Sequence, residues 1–170
     1  MSPNEFADRR RQLMRMMGEG SMAIVPAAAE KIRNRDVEYP FRQDSDFYYL
    51  SGFPEPDAVA VLMPGHPHNE YVLFVRDRDP DKEVWTGYRA GPSGACERYG
   101  AEEAYPVDDI DDILPGLMER VDKVFYSMGR HPEFDQRVMN WVNRLRAQVR
   151  GGTHTDRKST RLNSSHRLRS

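Results

Sequence analysis

Several groups of side chains in this 170-residue chain are of types that do chemistry. His66-Pro67-His68 offers two imidazoles to a metal, but no carboxylate or cysteine stands within ligand spacing, so a surface turn is the better reading. Asp44-Ser45-Asp46 sets two carboxylates close together, which a loop with Asx-type turn bonds explains without a metal. Asp108-Asp109-Ile110-Asp111-Asp112 lacks the glycine and distal glutamate of a calcium loop, and acidic residues at a helix N-terminus account for it. Cys96 has no demonstrable histidine partner for nucleophilic catalysis and reads as a passive thiol. Asn163-Ser164-Ser165 is a formal glycosylation acceptor in a chain with no visible secretion signal. These residues assign no catalytic group and no metal ligand.

Two other residues stand out by position. Arg42 follows Tyr39-Pro40-Phe41 in a loop that Pro40 stiffens, where a guanidinium either fixes a carboxylate or braces the loop. Taken without further context, bracing is the better reading. Trp85 lies in Trp85-Thr86-Gly87-Tyr88-Arg89-Ala90-Gly91, a polar, glycine-flanked stretch, and is either a core plug or an exposed anchor.

The elements that must position these residues follow from pattern. Ser2-Pro3-Asn4-Glu5 predicts a helix start with a capping box. Phe6, Leu13, Met14 and Met17 then line one face of a helix over 3–17, opposite the Arg9-Arg10-Arg11 run. Met22–Val25 and Phe47–Leu50 read as strands, with residues 27–45 mostly loop. Ala58–Met63 is continuously apolar, as a strand covered on both faces would be, and forms a hairpin with Tyr71–Val75 across the turn residues Pro64–Asn69. Asp77–Asp81 reads as a charged turn and Trp85–Pro92 as a loop. A short helix over Pro92–Tyr99 and an edge strand over Ala104–Val107 follow. Ile110, Ile113, Leu114, Leu117 and Val121 have helical spacing, interrupted by Pro115, so that helix starts late or kinks. Val124–Tyr126 is another strand. Pro132 opens a last helix over 132–149 whose stripe is Phe134, Val138, Trp141, Val142, Leu145 and Val149. This alternation predicts an α/β fold, a single domain over residues 1–150 with a mixed sheet flanked by helices.

Composition narrows the function class. Net charge is −2, yet residues 150–170 hold six Lys/Arg and one Asp, which leaves −7 on residues 1–149. An acidic folded part argues against a nucleic-acid partner. No apolar run approaches the roughly 20 residues that span a bilayer, which argues against a membrane partner. A single cysteine fits a reducing cytoplasm. Residues 151–170 form a basic, Ser-rich segment without period and are expected to be disordered. Within them, Asp156–His166 resembles translated sequencing-adapter read-through, which leaves open whether the tail is biological.

The string Glu38-Tyr39-Pro40-Phe41-Arg42-Gln43-Asp44-Ser45-Asp46-Phe47 through Gly52-Phe53 resembles the signature of the N-terminal domain of aminopeptidase P, in the creatinase or pita-bread metallopeptidase family. The Phe6–Arg11 helix, Asp36-x-Glu38-Tyr39-Pro40, Gly52-Phe53-x-Glu55-Pro56 and Trp85-x-Gly87-x-Arg89 follow in the order that family shows.

The resemblance implies an enzyme that removes the N-terminal residue from peptides whose second residue is proline. It implies two manganese ions held by Asp, Asp, His, Glu and Glu in a C-terminal pita-bread domain, beyond the end of this chain. By this likeness the chain alone is inactive and binds no manganese. Its role would be to build a homo-oligomer, a tetramer, and to wall the mouth of the active site. Asp36 and Trp85 match residues that approach the substrate of a neighbouring subunit, and Arg42 is loop-bracing or lies on the substrate side. The alternative is a standalone, non-catalytic binding or regulatory module with the same fold.

Overall fold

The structure is a computed structural model that describes residues 2–30, 41–150 and 161–164. Its centre is a mixed sheet whose inner strands feed alternate residues to opposite layers. The strands are β1 (Ser21–Pro26), β2 (Val59–Leu62), β3 (Tyr71–Val75), β4 (Glu103–Pro106), β5 (Lys123–Tyr126) and β6 (Arg161–Ser164). Their order is β4-β3-β2-β1-β5-β6. The pairs β1/β2 and β2/β3 are antiparallel, with Ile24 opposite Val61 and Ala60 opposite Leu73. The pairs β1/β5, β3/β4 and β5/β6 are parallel.

Side chains that alternate along a strand point to opposite faces. Ala23, Val25, Ala60, Leu62, Leu73 and Val75 pack with Leu13, Phe47, Leu50 and Phe53 in one core. Met22, Ile24, Val59, Val61, Val72 and Phe74 pack with Ile110, Leu114, Val138, Trp141 and Val142 in the other. Helices α1 (Pro3–Met17), α2 (Ser45–Ser51) and α4 (Gly91–Tyr99) supply the first layer, and α5 (Ile110–Met118) and α6 (Pro132–Arg150) the second. A sheet covered on both faces explains why β1, β2 and β3 are continuously apolar. The helix α3 (Pro80–Thr86) buries none of its residues and belongs to neither layer.

The structure corrects several sequence expectations. Phe47–Leu50 lies in helix α2 rather than in a strand. Asp44 caps it by accepting the Phe47 N–H at 2.9 Å, and left-handed Gly52 (φ 66°) closes it. A Cβ at Gly52 would also lie 2.6 Å from the Phe6 ring. The expected loop around Trp85 opens as helix α3, because Asp79 accepts the Lys82 N–H at 3.3 Å and Pro80 occupies the first turn. Pro115 does not delay α5, which runs through it from Ile110. Proline at that position removes the bond to the Asp111 carbonyl, which instead accepts from Arg144 Nη1 at 3.3 Å.

Ser2 precedes α1 without a side-chain cap bond, so no capping box forms. The arginine run is not wholly solvent-facing either. Arg10 is buried over the Tyr71 ring at 4.0 Å, and its Nη1 donates to the Leu50 carbonyl at 2.9 Å. Arg9 donates to the Tyr49 carbonyl at 3.1 Å, so two arginines cap the carbonyl end of α2. In the basic tail, where disorder is expected, Arg161–Ser164 adds a strand. Parallel pairing to β5 needs only main-chain groups at an open sheet edge. The rest of that tail lies outside the described residues.

Candidate functional site

Residues 77–90 leave the end of β3 and return to the start of α4 as a surface strap that carries Trp85. Helix α3 has seven residues, too short to persist on its own propensity. The strap is held at its middle by Glu83. One carboxylate oxygen accepts the Arg89 N–H at 2.7 Å, and the other accepts the Asp79 N–H at 3.2 Å. Arg78 Nε lies 3.0 Å from the first oxygen. Backbone donation from Arg89, ahead of the bonds to Arg78 and Asp79, holds the Glu83 carboxyl below its ordinary range. The outer face of the strap is apolar: Val84 is 79 % exposed, Trp85 88 % and Tyr88 58 %. The Arg78 and Arg98 guanidiniums lie 5.0 and 5.2 Å from the centre of the Tyr88 ring, and Arg98 Nη2 also donates to the Tyr88 hydroxyl at 2.5 Å.

The end of the strap is fixed from within. Glu55 is buried and accepts the Ala90 N–H at 2.8 Å, while its other oxygen lies 3.4 Å from Arg76 Nη2. Glu55 also meets the loop that carries Arg42. The side chain of Gln43 donates to the carbonyls of Phe53 at 3.2 Å and Glu55 at 2.8 Å. Its own amide oxygen accepts from Ala28 N at 3.0 Å and Asp44 N at 2.9 Å. A primary amide has two donors and an acceptor oxygen with two lone pairs, so every polar capacity of Gln43 is used. The roots of the Arg42 loop and of the Trp85 strap are thus joined through Gln43 and Glu55.

A second polar cluster sits at the carboxyl ends of the parallel strands β1 and β5. Asp44, besides capping α2, accepts from Arg130 Nη2 and lies against His131 Nε2, each at 3.0 Å. Arg130 also binds Asp46. Both carboxylates are almost fully buried, and the cleft they line with Val25, Pro26 and Ser127 has about 10 Å³, room for one water. The cluster ties the start of α2 to the start of α6. Among the described residues, no group of three or more His, Cys, Asp or Glu side chains could hold a metal ion. The resemblance places the manganese ligands in a C-terminal domain, so none of the residues described above is assigned to a metal, and no chemical step is derived through one.

Of the residues singled out by sequence, Trp85 is exposed on the strap and is not a core plug. Arg42 is exposed, and the bonds that brace its segment come from the next residue, Gln43. Asp36 lies outside the described residues. His66 and His68 occupy the β2–β3 turn, and Asp108 and Asp109 form a 3-10 turn ahead of α5. Asp111 does more than begin a helix: it accepts the Trp141 indole N–H at 2.8 Å. Burial, then the nearby Glu103 and Glu97, push the Cys96 thiol above its usual value, which disfavours the reactive thiolate. Gln43, Glu55 and Glu83 were not legible as site residues. Their only sequence signal is that Gln43 and Glu55 fall within the motif and Glu83 within two residues of Trp85.

The sequence profile described as aminopeptidase P, N-terminal domain, matches residues 6–126. An Escherichia coli Xaa-Pro aminopeptidase is 40 % identical over 147 residues, covering 86 % of this chain and 33 % of the relative. The human Xaa-Pro aminopeptidase 3 is 32 % identical, covering 89 % of this chain and 33 % of the relative. Among solved structures, Pseudomonas aeruginosa aminopeptidase PepP superposes with a TM-score of 0.88 at 52 % identity, over 96 % of this chain and 36 % of that one. Escherichia coli aminopeptidase P gives a TM-score of 0.85 at 37 % identity, over 96 % and 37 %. The chain spans about a third of the length of the relatives it matches. It belongs to the aminopeptidase P N-terminal domain family.

Proposed function

We propose that this chain is the oligomerisation and substrate-access domain of a cytoplasmic, manganese-dependent Xaa-Pro aminopeptidase. The metal ions and the hydrolytic chemistry belong to a C-terminal pita-bread domain. This chain's own residues bind and exclude. Trp85, from one subunit of a tetramer, packs against the apolar side of the peptide in a neighbour's active site. The family likeness assigns Asp36 to the peptide's ammonium end or to a bracing Arg, and Arg42 to bracing its loop or to the substrate side.

The observation that carries the reading is Trp85 itself. A large aromatic side chain 88 % exposed, on a strap held in place by hydrogen bonds rather than by burial, is placed to meet something outside the domain. The relatives named Xaa-Pro aminopeptidase are about three times as long, which supports a further domain. The rival reading, a standalone module, requires that the natural open reading frame end with this domain.

In the full-length peptidase, Trp85→Ala is expected to lower kcat/KM on an Xaa-Pro peptide about thirtyfold, the equivalent of about 2 kcal/mol of lost anchor packing. Steady-state kinetics check this. Unchanged activity would remove the proposed contact.

A further inference from the structure

We propose that Glu83 is a positioning residue, whose carboxylate folds the 77–90 strap around itself and so sets where Trp85 stands. The inference rests on the reading of Trp85 given above. Helix α3 buries no residue, so burial does not hold it. The Glu83 side chain joins the two ends by accepting the N–H groups of Asp79 at 3.2 Å and Arg89 at 2.7 Å, and the Arg89 Nη1 bond to the Asp77 carbonyl at 3.3 Å adds to this closure. Arg78 supplies the opposite charge at 3.0 Å. Residues two apart on a helix point about 200° from each other. Glu83 facing the inside of the strap therefore turns Trp85 to the outside, where it is found.

The chemistry specifies glutamate. An ionised carboxylate is acceptor-only on both oxygens, whereas glutamine would aim N–H donors at one of the two backbone N–H groups. Aspartate is one methylene shorter. The bond from Ala90 N to Glu55 fixes the strap's exit, so Glu83 governs the shape between two set points.

The test has two arms. On the 170-residue chain, amide hydrogen exchange is compared for wild type, Glu83→Gln and Glu83→Ala. The amides of Asp79 and Arg89 are expected to exchange at least tenfold faster, while Ile24 and Val61 in the sheet keep their protection. Unchanged strap amides, or equal acceleration in the sheet, would overturn the proposal. In the full-length peptidase, Glu83→Gln, Trp85→Ala and the double variant are assayed with KM and kcat resolved. Glu83→Gln is expected to move both in the same direction as Trp85→Ala, and the double variant to be no worse than Trp85→Ala alone. Losses that multiply would overturn the role of Glu83 and leave that of Trp85 standing. Full activity of Trp85→Ala would overturn the reading of Trp85 and this one with it.

Discussion

The two tryptophans of this chain lie on helices that both open with proline, yet Trp141 is 1 % exposed and Trp85 is 88 % exposed. Helix α6 is 19 residues long and presents Val138, Trp141, Val142 and Leu145 to the core at spacings of three and four. Trp141 stacks edge-on with Phe134 at 5.7 Å and donates its indole N–H to Asp111. Helix α3 has seven residues and no such stripe. One helix exists because packing selects it, and the other because a few polar atoms close it. The first kind of element makes a scaffold. The second places a side chain outside the fold at little cost to the rest.

The contrast is most directly broken at Trp141. Trp141→Ala removes a fully buried indole and leaves Asp111 without that donor, and is expected to cost about 3–5 kcal/mol of stability. The shift of the denaturant midpoint measures it, and a loss under about 1 kcal/mol would mean that the second core repacks freely.

An intermediate effect is expected at Gln43, where polar bonds rather than burial join three segments. Gln43→Ala leaves the Ala28 and Asp44 N–H groups and two carbonyls without these partners, which should cost about 2 kcal/mol. The same titration tests it. An effect below about 0.5 kcal/mol would mean that water replaces the bonds. The smallest effect is expected at Trp85. In this chain Trp85→Ala should change stability by less than about 0.5 kcal/mol, as exposed substitutions do. A loss near that of Trp141→Ala would show that the strap packs against the domain, and the comparison would fail.

Legibility in the sequence follows the same division. The β2–β3 hairpin, β1, β5 and the stripe of α6 are readable because their apolar patterns reflect burial directly. Helix α2 is misread because Phe47-Tyr48-Tyr49-Leu50 favours strands intrinsically, and a helix of seven residues shows little period. Its caps, Asp44 and Gly52, are the available signal. The burial of Arg10 depends on carbonyls of α2 forty positions away, which no local pattern encodes. The likeness carried by residues 38–53 gives the family correctly, but not why its glutamine and glutamate are there.

By itself, the sequence determines the α/β class, the layered strands and the family, because these rest on apolar period and on a motif contiguous in the chain. Only the tertiary structure decides that Gln43 and Glu55 join the Arg42 and Trp85 loops, that Asp44 and Asp46 meet Arg130, and that Trp85 faces solvent. Asp44 and Asp46 reach Arg130 across more than eighty residues of sequence. The physical reason is that hydrogen bonds and ion pairs are short-ranged in space but indifferent to sequence separation, so their partners are chosen only once the hydrophobic layers have brought distant segments together.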